Sequence, residues 1–95
     1  VTAPIRDAAH LRAVRLLACC YCSARPVDAH HVGRHAMGSK TDDLRTIPLC
    51  RPCHDGFHRR ATIGIMDAQQ TREWAAEQVI RVLIATRRQP AKSRP

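Results

Sequence analysis

The stretch Cys50-Arg-Pro-Cys-His-Asp-Gly-Phe-His58 places four metal-ligating side chains within nine residues, at two different spacings. Cys50 and Cys53 stand two residues apart, the spacing of a zinc knuckle, in which both thiolates leave one side of a tight turn. His54 and His58 stand four apart, so on a helix starting at the knuckle their imidazoles share one face, a turn apart. Each pair is half of a site, and the chain has to fold so that other segments complete both. Cys19-Cys-Tyr-Cys22 supplies a second thiolate pair at the same spacing, which predicts a structural Zn2+ held by Cys19, Cys22, Cys50 and Cys53. Cys20, the fifth thiol, has the wrong spacing. Asp28-Ala-His30-His31 places two adjacent imidazoles between the cysteine pairs, where one can bind metal while its neighbour does chemistry.

Disulfides are the competing use of cysteine. The odd count, the knuckle spacing and the lack of a preceding secretory signal favour zinc. A domain of 95 residues has a marginal hydrophobic core. With one Trp, one Tyr and one Phe, aromatic burial cannot compensate, so metal binding is expected to supply much of the folding free energy. No apolar run approaches the roughly 20 residues of a membrane span, so a soluble, cytoplasmic protein without membrane partners is expected.

Sixteen Lys and Arg against eight Asp and Glu give a formal charge of +8 and a pI near 10.3. Together with a histidine metal site, this points to nucleic acid as the partner. The shortage of aromatic stacking platforms favours backbone contacts on duplex or structured DNA over single-strand recognition, hence low sequence specificity.

Along the chain, Pro4 to Ala18 is predicted as a helix with Leu11, Val14, Leu17 and Ala18 at helical intervals and His10 exposed. Val27 to Val32 and Leu44 to Leu49 are predicted as a hairpin around the polar loop from Gly33 to Asp43, with Pro48 tolerable only on an edge. The second knuckle feeds a helix running to about Arg60. Asp67 then caps a long helix to about Arg88, with an apolar stripe of Trp74, Ala75, Val79, Val82, Leu83 and Thr86. The result is one α+β domain over 1–88, with its metal core at about 19–60, followed by a basic disordered tail over 89–95.

Asp28-Ala-His-His31, the loop with Gly38-Ser-Lys40 and Asp42-Asp43, and Pro48 to His58 together resemble the HNH endonucleases. The version framed by two C-x-x-C pairs is most similar to phage recombination-enhancement-function nucleases. The resemblance implies a treble-clef-like ββα-metal core with flanking N- and C-terminal helices. It makes His30, His54 and His58 the ligands of a catalytic divalent cation (Mg2+, Mn2+ or Zn2+), and His31 the general base. It also implies 5′-phosphate and 3′-hydroxyl products, a phage-related setting inside a bacterial host, and a recombination or phage protein as partner. One position departs from the family motif. Arg45 stands where a hairpin-steadying Asn is expected, and Thr46, Asp42 and Asp43 are the alternatives for orienting His31.

The expected function is a metal-dependent DNA endonuclease of low sequence specificity. Arg34, His35, Lys40, Arg59 and Arg60 are candidate DNA contacts. The alternative is a noncatalytic zinc-containing DNA-binding module, in which the three histidines form a second structural site. A protein-interaction domain on the same four-cysteine knuckle would leave the histidine cluster unexplained.

Overall fold

In the computed structural model, which describes residues 5–33 and 41–87, the two short extended stretches pair as an antiparallel hairpin. Strand β1 (Val27–His31) runs against β2 (Thr46–Cys50), with Val27 opposite Cys50, Ala29 opposite Pro48 and His31 opposite Thr46. Pro48 is accommodated because its carbonyl points away from β1 and accepts from the Cys20 N–H at 2.9 Å. The nitrogen of a strand residue faces the same way as its carbonyl, so its missing proton costs no ladder bond. The second strand begins two residues later than expected because Asp43 and Leu44 are in a turn closed by the Arg45 N–H on the Asp42 carbonyl.

Three helices complete the α+β fold among the described residues: α1 (Ala8–Arg15), α2 (Arg51–Arg60) and α3 (Ala68–Arg87). Helix α1 is shorter than the predicted span from Pro4 to Ala18. Asp7 caps it by accepting from the His10 N–H at 2.9 Å, and at its other end Leu16 and Leu17 donate to Ala13 and Val14, tightening the chain out of α-helix. His10, expected on the surface, is instead buried: it lies four residues before Val14 on the face turned to the core.

Strand β2 is buried along its whole length, with Ile47 and Leu49 fully enclosed, because β1 and all three helices pack against it. Val14 from α1 and Ala75, Val79 and Val82 from α3 close the core around it. Asp67 and Gln70 form a reciprocal capping box at the start of α3. The buried stripe of that helix begins at Thr71, one turn before the predicted one, while Trp74 and Leu83 are half-buried at its margin. The predicted basic tail over 89–95 lies outside the described residues. None of the described helices is long and apolar enough to cross a membrane.

Candidate metal centres

The hairpin and α2 bring the two cysteine pairs together by direct continuity. Cys50 ends β2 and caps α2, and Pro52 and Cys53 occupy the first turn of that helix. The second knuckle is therefore a strand–helix junction. The first knuckle is a turn closed by Ser23 donating to the Cys19 carbonyl and Cys19 donating to that of Ala24, with Ser23 at φ 69°. The Cys20 bond to Pro48 fastens this turn to β2.

The Sγ atoms of Cys19, Cys22, Cys50 and Cys53 all lie within 4.8 Å of one another, and all five cysteines are free of disulfides. Cys22 Sγ is 3.5 Å from Cys50 Sγ and 3.9 Å from Cys53 Sγ. Burial pushes the Cys19 thiol up, but N–H groups of Cys22, Cys50 and Tyr21 outweigh it and hold it at about 7, whereas burial and the neighbouring sulfurs drive Cys53 up. Such a cluster readily carries one thiolate and resists the next, an obstacle that a divalent cation removes. The donor set and spacing fit zinc. Cys20 stands apart, its thiol pushed to about 12 chiefly by burial.

A second cluster forms where β1 lies beside α2. The ring nitrogens of His30, His54 and His58 lie within 4.8 Å of one another. His54 Nε2 and His58 Nε2 are 3.0 Å apart, and the His30 ring centroid is 4.7 Å and 5.1 Å from theirs. The spacing of four on α2 does what helix periodicity requires. His30 is buried against Phe57, and that burial, with the neighbouring imidazoles, lowers its pKa to about 4. Its ring is therefore neutral near pH 7, with a lone pair to donate. Asp28, two residues before His30 and so on the same face of β1, accepts from His54 Nδ1 at 3.0 Å. This leaves Nε2 of His54 to face the cluster, an arrangement common behind metal-bound imidazoles. Arg51 Nη2 pairs with the same Asp28 oxygen, Oδ2, at 3.0 Å.

His31 follows His30 on the strand and points elsewhere. Its Nε2 meets Asp43 Oδ1 at 2.9 Å. Of the three alternatives for orienting it, Asp43 is the one in contact. Asp42 accepts from the Ile5 N–H, and Thr46 Oγ1 donates to the Asp43 carbonyl. Asp43 is buried and also accepts from the Asp7 N–H at 2.8 Å and Arg6 Nη1 at 3.2 Å. The His31 bond first, then the Asp7 N–H, hold its carboxyl at about 2, so it is ionised near neutral pH.

Arg45 takes over part of the hairpin's support. Its carbonyl accepts from the Val32 N–H at 2.8 Å, and its Nε reaches the Val32 carbonyl at 3.5 Å. His30, His31 and His58 border a cleft of about 510 Å3 between the end of β1, the end of α2 and the start of α3. Arg45 and Arg72 border it too, and sequence reasoning named neither as a substrate contact. Arg72 is 14 residues past His58, in a helix whose pattern reads only as amphipathic, so no local signal marks it. Arg59 is exposed at the end of α2 and does not border this cleft; Arg60 borders a separate pocket beside Tyr21 and Cys53. Arg34, His35 and Lys40 lie outside the described residues.

A family model described as "Protein of unknown function (DUF968)" matches residues 4–63, from the lead-in to α1 through both cysteine pairs, the hairpin and α2. No curated protein and no solved structure matches the chain.

Proposed function

The chain belongs to the DUF968 family of proteins of unknown function, and we propose that it is a metal-dependent DNA endonuclease built on an HNH-type, treble-clef-like ββα-metal core. One observation carries this reading. Three imidazoles converge within 4.8 Å while a fourth, adjacent in sequence, is held apart by an ionised carboxylate at the edge of the same cleft. A purely structural site needs the first three and has no use for the fourth.

In this reading Cys19, Cys22, Cys50 and Cys53 hold zinc as a structural staple, and His30, His54 and His58 hold a catalytic divalent cation. Such a cation offsets the negative charge of a phosphodiester and of its departing oxygen. His31 does the proton chemistry. Its Nε2–H donates to Asp43, which leaves Nδ1 as the acceptor for a proton from water. The water oxygen bonds to phosphorus, the bond from phosphorus to the sugar oxygen breaks, and that oxygen takes a proton from solvent. Ionised Asp43 stabilises the imidazolium that forms. The net charge of +8 draws the polyanionic substrate without reading its sequence.

The test is nicking of supercoiled plasmid by the zinc-loaded protein with added Mg2+ or Mn2+, followed by single-turnover rates. His31→Ala should keep zinc and DNA binding while losing roughly 10²- to 10⁴-fold in rate, the usual worth of a general base. His54→Ala should be partly restored by more divalent ion, which cannot replace the missing base in His31→Ala. Full activity in a folded His31→Ala protein would eliminate this mechanism. A protein that binds DNA and nicks nothing under any metal would be the noncatalytic module.

A further inference from the structure

The cleft beside His31 has a charge pattern that the metal chemistry does not use. Of the described residues that border it, the titratable ones are His30, His31, His58, Arg45 and Arg72, with no carboxylate among them. Asp43 and Asp28, the acids nearest the histidines, are engaged behind the rings and do not border the cleft. Arg72 and Arg45 are both exposed; among the described residues neither makes an ion pair, and the Arg45 side chain is engaged through Nε on the Val32 carbonyl. The nearest acid in sequence to Arg72, Glu73, is taken up by Gln69 one turn earlier. Ala75 and Ala76 on α3 line the cleft with small side chains, and Phe57 and Val32 give it apolar walls. Two guanidinium groups with free donors on a carboxylate-free cleft make a seat for a planar-faced, multiply accepting anion.

We infer that Arg45 and Arg72 clamp a phosphodiester group of the substrate in the cleft bordered by His30, His31 and His58, Arg45 from the hairpin and Arg72 from α3. This inference rests on the endonuclease reading and adds to it the residues that position the phosphate. Arg45 carries two duties, since its backbone and Nε also support the hairpin. Arg72 has no such second duty among the described residues, which makes it the cleaner position to change. The clamp also gives α3, which starts beyond the segment matched by the family model, a part in substrate binding.

The experiment uses the full zinc-loaded chain without added Mg2+ or Mn2+, so that nothing depends on cleavage. The probes are a thymidine dinucleoside monophosphate and, separately, inorganic phosphate, with the arginine Nε–H resonances followed by NMR. The dinucleotide should shift Arg45 and Arg72 saturably. Its affinity should fall roughly 10-fold in Arg72→Gln, the order expected for losing one charge-assisted contact, and recover only in part in Arg72→Lys, which keeps the charge without the fork. Arg12→Gln, on the exposed side of α1, should bind as the unchanged chain does. In single-turnover cleavage, Arg72→Gln should raise the half-saturating DNA concentration by a similar factor and change the maximal rate less.

Equal dinucleotide affinity in Arg72→Gln and the unchanged protein would overturn the clamp, whether or not the protein cuts DNA. Shifts produced by inorganic phosphate and not by the diester would also overturn it, since the seat would then be for a free anion. Shifts that Arg72→Gln abolishes in a protein that never nicks plasmid would uphold the clamp and remove the nuclease.

Discussion

Asp43 ties the end of β1 to the segment that leads into α1. It takes His31 from β1, the Asp7 N–H from the start of α1 and the Arg6 guanidinium, while its own N–H donates to the Ile5 carbonyl at 2.9 Å. Asp43→Asn keeps the shape and one acceptor but removes the charge that opposes an imidazolium. On the proposed mechanism, cleavage should fall roughly 10- to 100-fold, the worth of about 1.5–3 kcal/mol in a hydrogen bond to a charged group. Zinc content and DNA affinity should stay unchanged. Stability gives a second readout with a definite sign. A carboxyl held at about 2 against an ordinary value near 4 stabilises the fold fully above pH ~4 and loses that contribution as pH falls toward 2. The melting-temperature deficit of Asp43→Asn should therefore narrow as pH falls below about 4. A variant that melts and cuts like the unchanged protein would show that Asp43 is a bystander.

At the scale of elements, the junctions around α2 set the geometry of both clusters. Cys50 caps the helix, and Ala61, left-handed at φ 58°, ends it through its N–H on the Phe57 carbonyl at 2.7 Å. The helix thus stops at Arg60 as expected, but through its own cap three residues before Gly64. Gly64 has a different duty. It sits at φ 60° against Tyr21, and a Cβ there would collide with the phenol ring. Tyr21 stands between two cysteines of the four-thiol cluster and packs edge-on against Trp74, with ring centroids 6.1 Å apart, so Gly64 lets the first knuckle dock on α3. Gly64→Ala should cost about 1–2 kcal/mol, part from the left-handed backbone and part from displacing a half-exposed ring, and lower the melting point by several degrees. In a Tyr21→Ala background the steric part is already gone, so the same substitution should cost visibly less. Equal costs in the two backgrounds, read as a double-mutant cycle from thermal melts, would show that the ring does not matter.

For the whole molecule, the buried apolar set is short, and much of it is aliphatic side chains from α1, β1 and α3 around Ile47 and Leu49 of β2. Cys19 and Cys50 belong to that same buried set, so the four-cysteine cluster and the core are one structure. Removing zinc should unfold the chain rather than loosen one end. Cys22→Ser should fail to retain stoichiometric zinc and lose helical circular dichroism, although Cys22 is exposed. Cys20→Ser, which changes a more enclosed thiol outside the cluster, should keep both. The measurement is metal content after anaerobic, reducing purification, with spectra on the same samples. A folded, zinc-replete Cys22→Ser protein would refute the four-thiolate assignment. Imidazoles hold divalent ions less tightly than four thiolates hold zinc, so mild chelation should stop cleavage before it unfolds the domain.

Local spacing determined a good deal by itself. Two C-x-x-C pairs and a His-x-x-x-His on a helix leave few ways to satisfy their ligands, so the membership of the four-cysteine cluster was legible, as were the hairpin and the long capped helix, while spacing left His30 and His31 open as the third imidazole and only the family resemblance chose His30. Short-range chemistry writes those features, through turn closure, the helical period and capping. The tertiary structure decided what depends on distant segments meeting. It selected Asp43 over Asp42 and Thr46 beside His31, because the start of α1 docks there and fixes the turn. It buried His10, whose ionisable ring argued for the surface although it shares the α1 face of Val14. It also brought Arg72 to the cleft beside Arg45 across 27 residues of chain, since the packing of α3 on β2 is set by the shape of the core and leaves no mark in the local sequence around either arginine.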